Sequence, residues 1–399
     1  MTTIAPGAEI ECDVAVIGGG LSGTLAAIVL GRAGYRVALI DRSAVFPSEF
    51  RVEKIGGDLV ARIERLGLLD AVSANSARFD EIVNARRGRL LDRTRAAHFG
   101  FSYERLMAAM RSQLPETVTF VVGRVNDLST SADRQRIFVY EQGCVNARLV
   151  VLATGMGDLL RRTLGIERRV IHERQSLTFG FDIRSAAGGF KCSSLTYYGE
   201  QVSDGIDYLS LFPTAGGMRA NLFTFRDHRD PWVKALRGSP SETLAATLPG
   251  LRTVLGDFEV VGRVQNWIMD LAVAQNCRQD GVVLIGDAYQ TSCPAAGTGF
   301  SRLLTDVERL CQVYVPQWLS TPGMTAGKIG LYYDDPAKQA ADASALAQAH
   351  YRRSLTVDTS PAWRARRLLQ VWRRRSLDRL DRLSPNAVAR LRTLAGRAA

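Results

Sequence analysis

The chain has 399 residues, 46% hydrophobic and 23% charged, and its 51 basic against 40 acidic side chains leave a formal charge of +11. This length exceeds one typical domain and the apolar content suffices for a sizeable core, while no run of about 18 uncharged apolar residues is present to span a membrane. The first residues lack the basic region and apolar stretch of a signal peptide, so the expected location is the cytoplasm.

Asp13 to Ile17 is an apolar run of strand type, followed by Gly18-Gly19-Gly20-Leu21-Ser22-Gly23 and by Thr24 to Leu30, which has helical propensity. Strand, glycine turn and helix in this order form the setting of a dinucleotide fingerprint. Gly18 permits the tight turn, Gly20 lets the backbone approach a pyrophosphate, and Gly23 allows helix and strand to pack closely. The free amides of Leu21, Ser22 and Gly23 at the helix start then face the phosphates. A second strand, Tyr35 to Ile40, ends in Asp41 and Arg42; the Asp41 carboxylate lies where an acid accepts hydrogen bonds from an adenosine ribose. Whether the dinucleotide is FAD or NAD is open at this point of the chain.

A helix is expected to end near Leu66-Gly67-Leu68, and another helix follows residue 100. A strand pair is expected over Val118 to Val125 and Ile137 to Glu141, then a buried strand over Leu149 to Ala153 that leads into Thr154-Gly155. Residues 176–275 change character. Strand patterns run over Leu177 to Ile183, Leu195 to Tyr198, Tyr208 to Phe212, Arg219 to Phe225 and Phe258 to Trp267. Thr214-Ala215-Gly216-Gly217 is a hairpin signal between two of them, and one helix is expected around Ser239 to Leu248. Strand alternation puts Tyr208, Ser210 and Phe212 on one face, with Leu209 and Leu211 on the other.

The later glycine segment decides between the dinucleotides. Val282 to Ile285 runs into Gly286-Asp287-Ala288, which places Asp287 at the carboxyl end of a strand, where open parallel sheets bind ligands and a carboxylate can take a ribityl hydroxyl. Pro294, Gly297, Thr298 and Gly299 precede a helix over Phe300 to Leu310 whose N-terminus would stabilise the negative charge of a reduced flavin. At Gly286, Asp287, Ala288, Pro294, Gly297, Gly299 and Asp306 the chain resembles the FAD-dependent monooxygenases of the para-hydroxybenzoate hydroxylase type, over roughly residues 10–320.

The resemblance implies an α/β fold, with a Rossmann-like (GR2-type) FAD-binding domain over 8–75, 100–175 and 276–320. An inserted, mainly antiparallel β substrate domain would take 76–99 and 176–275, and a helical C-terminal tail 321–399. In that family the sheet roofs a pocket over the flavin, which makes Tyr198, Tyr208, Phe212, Phe223 and Trp267 candidate walls for a hydrophobic or aromatic substrate. The implied chemistry is hydroxylation or epoxidation by molecular oxygen through a flavin C4a-hydroperoxide, in specialised or aromatic metabolism, with NADPH or NADH as electron donor. No side-chain acid or base is required by that scheme; for a phenolic substrate, Tyr208 or Tyr198 is the candidate general base.

Two departures from the family pattern keep a second class open. Thr154 stands where the family carries an Asp associated with FAD and NAD(P)H handling, and Tyr103 stands where it commonly has a cofactor-contacting Arg; Arg105, Arg51 or Lys54 are the candidates to compensate. The alternative is therefore a flavin-dependent reductase or dehydrogenase of the geranylgeranyl-reductase type. The Trp-x-Trp-x-Ile-Pro segment of flavin-dependent halogenases is not found, and a non-enzymatic FAD-stabilised binding protein is the weakest reading. Cys12, Cys144, Cys192, Cys277, Cys293 and Cys311 lack metal-ligand or disulfide-scaffold spacing and read as reduced thiols. Cys293, beside Pro294, is read first as a space-filling side chain in the flavin loop, with a redox or substrate-lining role as the alternative. With only four histidines no metal constellation is expected.

Residues 361–399 hold eleven arginines against two aspartates, so nine of the eleven net charges lie there. Ala365, Leu368, Leu369, Trp372, Leu380 and Leu383 recur at helical spacing, with the arginines largely elsewhere on the wheel and Pro361 and Pro385 as brackets. The leading expectation is a helix docking this apolar stripe on the FAD domain. An anionic membrane surface or an acidic carrier protein is the alternative partner. The arginine runs lack the interleaved aromatics of a single-strand groove, which disfavours nucleic acid.

Overall fold

A computed structural model describes residues 4–47, 49–186 and 188–383. At its centre is a five-stranded parallel sheet, ordered β17 (Val282–Leu284), β11 (Leu149–Leu152), β2 (Val14–Ile17), β3 (Val37–Asp41) and β7 (Val118–Val122). Every residue of β2, β11 and β17 is buried, as a parallel sheet covered on both faces demands. The helix α1 (Leu21–Arg32) packs against α4 (Tyr103–Arg111) and α9 (Gly299–Arg309). One π-helical turn over Leu310–Tyr314 carries α9 into α10 (Val315–Leu319). The helices α2 (Asp58–Arg65), α3 (Leu69–Ala74) and α5 (Leu159–Thr163) complete this layer.

The expected strand pair over 118–125 and 137–141 does not form. β7 joins the parallel sheet beside β3, and the chain breaks at Gly123, whose N–H donates to the Asp41 carbonyl at 2.9 Å. A new strand, β8 (Val125–Ser129), then pairs with β9 (Gln135–Val139) in a separate four-stranded sheet with β10 (Cys144–Ala147) and β1 (Glu9–Glu11). A side chain at Gly123 would lie 2.3 Å from Val139 Cγ1, so this break is built on a glycine that the apolar run around it conceals.

The third sheet has eight strands, ordered β16 (Phe258–Gln275), β12 (Glu167–Ser185), β15 (Gly217–Thr224), β14 (Ile206–Thr214), β13 (Leu195–Tyr198), β5 (Ala77–Arg86), β6 (Arg89–Ser102) and β4 (Val52–Gly56). All its pairings are antiparallel except β13 with β5. The hairpin turn falls where expected, with Thr214 opposite Gly217. β6 runs through residues 99 and 100, β12 runs through 175 and 176, and β4 is the edge strand beside β6. Register shifts in β12 between Val170 and Ser176 bend it from one layer to the other, the usual work of a bulge. Its first half, Glu167 to Gln175, is polar and gives no strand signal.

Leu209 and Leu211 face a core shared with α6 (Pro231–Gly238), α7 (Pro240–Thr247) and α8 (Leu251–Leu255). α7 is the helix expected around Ser239 to Leu248, and α6 and α8 flank it; Pro231 and Pro240 each open a helix at its first position. On the other side, α11 (Ala326–Tyr333) leads to α12 (Pro336–Val357), which ties the layers together. Arg352 Nε donates to Asp207 at 2.8 Å and Lys338 Nζ to Asp306 at 2.9 Å.

The last helix, α13 (Pro361–Leu383), packs on β6 and α12 with the opposite face from the one expected. Leu368, Leu369, Trp372 and Leu380 are 73%, 62%, 68% and 47% exposed. Arg367 and Arg374 turn inward instead: Arg367 donates to the carbonyls of Leu355 at 3.0 Å and Asp358 at 2.7 Å, and the Arg374 guanidinium stands 4.8 Å over the Tyr198 ring. Specific acceptors at the end of α12 outweigh burial of the leucines. Pro385 and the residues after it lie outside the described residues.

Candidate functional site

The turn between β2 and α1 is built for an anion. Gly18 has φ +109°, and a side chain there would meet the Ala153 carbonyl oxygen at 2.4 Å. Gly20 caps α1 and opens on empty space, with no side-chain cap and no acidic residue in the first turn. The amides of this twelve-residue helix therefore point into a cavity with their dipole unopposed. The Asp41 carboxylate is held by the N–H groups of Gly19 at 2.6 Å and Ser43 at 2.9 Å. Arg111, from α4, donates to the carbonyls of Gly19, Ser43 and Ala44 at 2.8 to 2.9 Å and pins this loop from behind.

The second glycine segment meets the first directly. Gly286, at φ +61°, lies so close to α1 that a side chain would come within 2.3 Å of Ser22 Oγ. Its N–H donates at 2.8 Å to Asp306, a buried carboxylate. Burial works against that charge, but Lys338 at 2.9 Å and Arg302 at 3.6 Å outweigh it and hold its pKa below the usual range. Asp287 faces the cavity, with Arg302 at 3.4 Å and the Arg168 guanidinium on its own carbonyl at 3.1 Å. Burial pushes the Asp287 pKa up, against the pull of Arg302, Arg51 and Arg168. Pro294, Gly297, Gly299 and Phe300 line the same space, and α9 begins there without a side-chain cap or an acidic first turn.

One cavity of about 1030 Å³ runs from these two turns to the large sheet. Its roof is a pair of rungs across three or four strands. In one, Tyr208, Phe223, Thr178 and Trp267 stand side by side; in the next, Ser210 and Asn221. Phe212 and Phe50 close the edge. The Tyr208 and Phe223 rings are 4.7 Å apart. Into this apolar end comes Lys54 of β4, whose Nζ is 3.5 Å from Ser210 Oγ and 5.7 Å from the Phe212 ring centre. Burial lowers its pKa to about 8. Glu53, the next residue along the strand, lines the same cavity, and burial raises its pKa to about 7 against the opposing pull of Arg51.

Gly18, Gly20, Leu21, Ser22, Asp41, Arg42, Arg51, Gly155, Asp287, Pro294, Gly297, Gly299, Tyr208, Phe212, Phe223 and Trp267 all line this cavity. Gly23, Gly286 and Thr298 stand behind its wall. Arg105 is exposed on α4 and does not reach it, whereas Arg51 does, with its guanidinium 4.3 Å over the Tyr103 ring. Tyr198 is opposite Tyr208 on the sheet, but Arg352 and Arg374 cover it and it faces a separate small cleft. Tyr208 donates its hydroxyl to the Ala295 carbonyl at 3.1 Å, and burial raises its pKa. A phenol so placed stays protonated and does not serve as a base. Cys293 is fully buried beside Ser176. Sequence reasoning missed Glu53, Phe50, Arg111 and Arg168. The alternating charges of Arg51, Glu53 and Lys54 in a short strand were the available signal for the first. Among the described residues no cluster of His, Cys, Asp and Glu is arranged to hold a metal ion, and no helix is long and apolar enough to cross a membrane.

The glycine cradle, the two uncapped helix starts and the carboxylates of Asp41 and Asp287 fit the ADP and ribityl parts of FAD. Residues 11–313 match the model of the FAD binding domain family, and the chain belongs to that family. It is an FAD-dependent oxidoreductase of the monooxygenase type. It is 26% identical over 352 residues to aklavinone 12-hydroxylase DnrF of Streptomyces peucetius, covering 74% of this chain and 66% of that one. It is also 26% identical to digeranylgeranylglycerophospholipid reductase 1 of Methanopyrus kandleri, over 74% of this chain and 78% of the relative. Among solved structures, p-nitrophenol 4-monooxygenase PnpA from Pseudomonas putida DLL-E4 shares the fold, with TM-score 0.74 at 17% identity over 97% of this chain and 98% of that one.

Proposed function

We propose that this protein hydroxylates an aromatic small molecule carrying an acidic or anionic oxygen, with molecular oxygen as co-substrate and NADPH or NADH as electron donor. The observation that carries this reading is the single cavity with glycine-built turns at one end and an aromatic roof holding Lys54 at the other. Bound FAD supplies the chemistry: two electrons reach oxygen, one oxygen atom enters the substrate and the other leaves as water. The chain's own residues do the rest. Leu21, Ser22 and the α1 N-terminus hold the pyrophosphate, and Asp41 the adenosine ribose. Asp287 takes a ribityl hydroxyl, and the start of α9 offers its dipole to the reduced ring. Tyr208, Phe212, Phe223 and Trp267 exclude water from the substrate end, and the Lys54 ammonium orients the substrate by its negative oxygen. The six cysteines are free thiols, which suits the reducing cytoplasm.

Purified yellow protein, reduced in turn by NADPH and NADH, should consume oxygen in the presence of a hydroxylated or carboxylated aromatic and yield a product heavier by one oxygen atom. Turnover that proceeds without oxygen would overturn this reading. The similarity to the Methanopyrus reductase supports the second one, in which anaerobic turnover saturates a carbon–carbon double bond.

A further inference from the structure

We propose that α13 is a membrane-surface helix, laying its outer face on a bilayer rich in anionic lipid. At 100° per residue, Leu368, Leu369, Trp372 and Leu380 fall within one arc of the helix, and this is the arc turned to solvent. Arg364 and Arg375 flank the arc on one side and Arg373 on the other, while Arg379 lies within it. The polarity of an ordinary docked helix is reversed here. Arg367 and Arg374 hold the inner side to α12, β13 and β6, and the largest apolar groups are left in water. Because the inner face is pinned, the outer stripe is a rigid, preformed surface.

Three features select the occupant. Residues 361–399 carry +9 of the formal charge, +6 of it on α13 itself, and the preceding 360 residues only the remaining +2, so the attraction for an anionic plane is centred on the element that bears the stripe. Arginines on both flanks can reach up to lipid phosphates while their stems lie along the apolar strip, the arrangement of helices that lie in the plane of an interface. A tryptophan at the centre suits the headgroup boundary. A second copy of the chain is disfavoured, because a symmetric contact through this face would set two helices of formal charge +6 against each other. An acidic carrier protein would match the charge but leaves the apolar strip without a role.

The test uses the full-length, FAD-loaded protein with sedimenting vesicles of phosphatidylcholine alone or mixed with phosphatidylglycerol. The protein is expected to sediment with the mixed vesicles at least tenfold more tightly than with the neutral ones, and to be released by salt. L368S/L369S/W372S should abolish binding while FAD content and thermal unfolding stay as in the parent. Replacing Arg373 or Arg379 by Gln should weaken binding about fivefold each. Deletion of residues 384–399 should leave the dependence on Leu368, Leu369 and Trp372 in place. Equal binding to both vesicles, binding that survives the triple substitution, or loss of all binding on the deletion would overturn the proposal. So would a dimer by light scattering that the triple substitution dissociates, or tight capture by an acidic acyl carrier protein with none by vesicles.

Discussion

The two ends of the cavity are made differently. At the proposed cofactor end the frame is backbone, the amides of Leu21 and Ser22, the turn at Gly286 and the start of α9, with the carboxylates of Asp41 and Asp287 set into it. At the substrate end the contacts come from side chains projected by four strands, with Lys54 and Glu53 added by a fifth at the sheet edge. A backbone site depends on glycines whose substitution is sterically forbidden, so it tolerates little. A side-chain site keeps its frame when one residue changes, and it can be retuned one group at a time.

The largest effect is therefore expected at the backbone end. Gly286→Val forces a side chain into Ser22 Oγ at a positive φ. Overpacking of this kind costs about 3 kcal/mol, or about 100-fold in FAD affinity. Fluorimetric titration of the apoprotein with FAD measures it. Gly286→Ala should be milder and should recover in part when combined with Ser22→Gly, because the two contacts are one. Full FAD affinity in Gly286→Val would show that the two turns are not joined through this contact.

At the side-chain end, Lys54→Met should leave FAD affinity intact and weaken an anionic aromatic probe. For 2-naphthoate the expected loss is about 30-fold, the worth of a hydrogen bond to a charged group. 2-Naphthamide should be almost unaffected, with the flavin absorbance change as the readout. The pH dependence has a definite sign. Burial lowers the Lys54 pKa to about 8, so the ammonium, and with it the affinity for naphthoate, is lost as pH rises through 8. His98 and Glu53 are the other titrating groups near it, and both change state below that range. Equal affinity of the parent for naphthoate and naphthamide would remove Lys54 from substrate recognition.

The same contrast explains what the sequence disclosed. Gly18 and Gly286 sit at positive φ and Gly23 packs on the turn just before it, which are local demands of a strand–turn–helix unit, so these turns were legible together with Asp41 and Asp287. The roof aromatics Tyr208 and Phe212 were legible through strand alternation, and Phe223 and Trp267 only as aromatics of the strands expected to roof the pocket. Tyr198 belongs to the same aromatic set and still lies outside, because Arg352 and Arg374 reach it from helices more than 140 residues away. Glu53 and Arg168 escaped for a similar reason, since their partners come from other layers. On α13 the periodicity was right and the direction was not: a wheel gives a stripe, and only the acceptors at the end of α12 determine which side is inward.

Glu53 offers a smaller effect on folding itself. Its pKa is raised from 4.5 to about 7 in the folded chain, so the fold favours the protonated acid. The stability this contributes is present at low pH and is lost as pH rises through 7, where a buried charge must be carried. Because the group faces a wet cavity, the loss in the FAD-free chain is about 1.5 kcal/mol, below the limit that the pKa change alone would set. Glu53→Gln should flatten the dependence of the denaturation midpoint between about pH 4.5 and 7. An unchanged slope would place the carboxylate in bulk-like water.

The smallest effect is expected at Tyr208, and it separates a structural hydroxyl from a catalytic one. Tyr208→Phe removes a hydrogen bond to the Ala295 carbonyl and keeps the ring against Phe223. The expected cost is about 1 kcal/mol of stability, since the carbonyl belongs to the loop that positions Pro294 and the start of α9. If the phenol were a general base, kcat would fall by about 100-fold or more and the limb of its pH profile would disappear. With the hydroxyl donating to a carbonyl and its pKa raised by burial, kcat should instead stay within about threefold and the profile should keep its shape. A hundredfold loss would mean that substrate binding breaks the bond to Ala295 and recruits Tyr208 to the reaction, making the roof a working part of the chemistry as well as its cover.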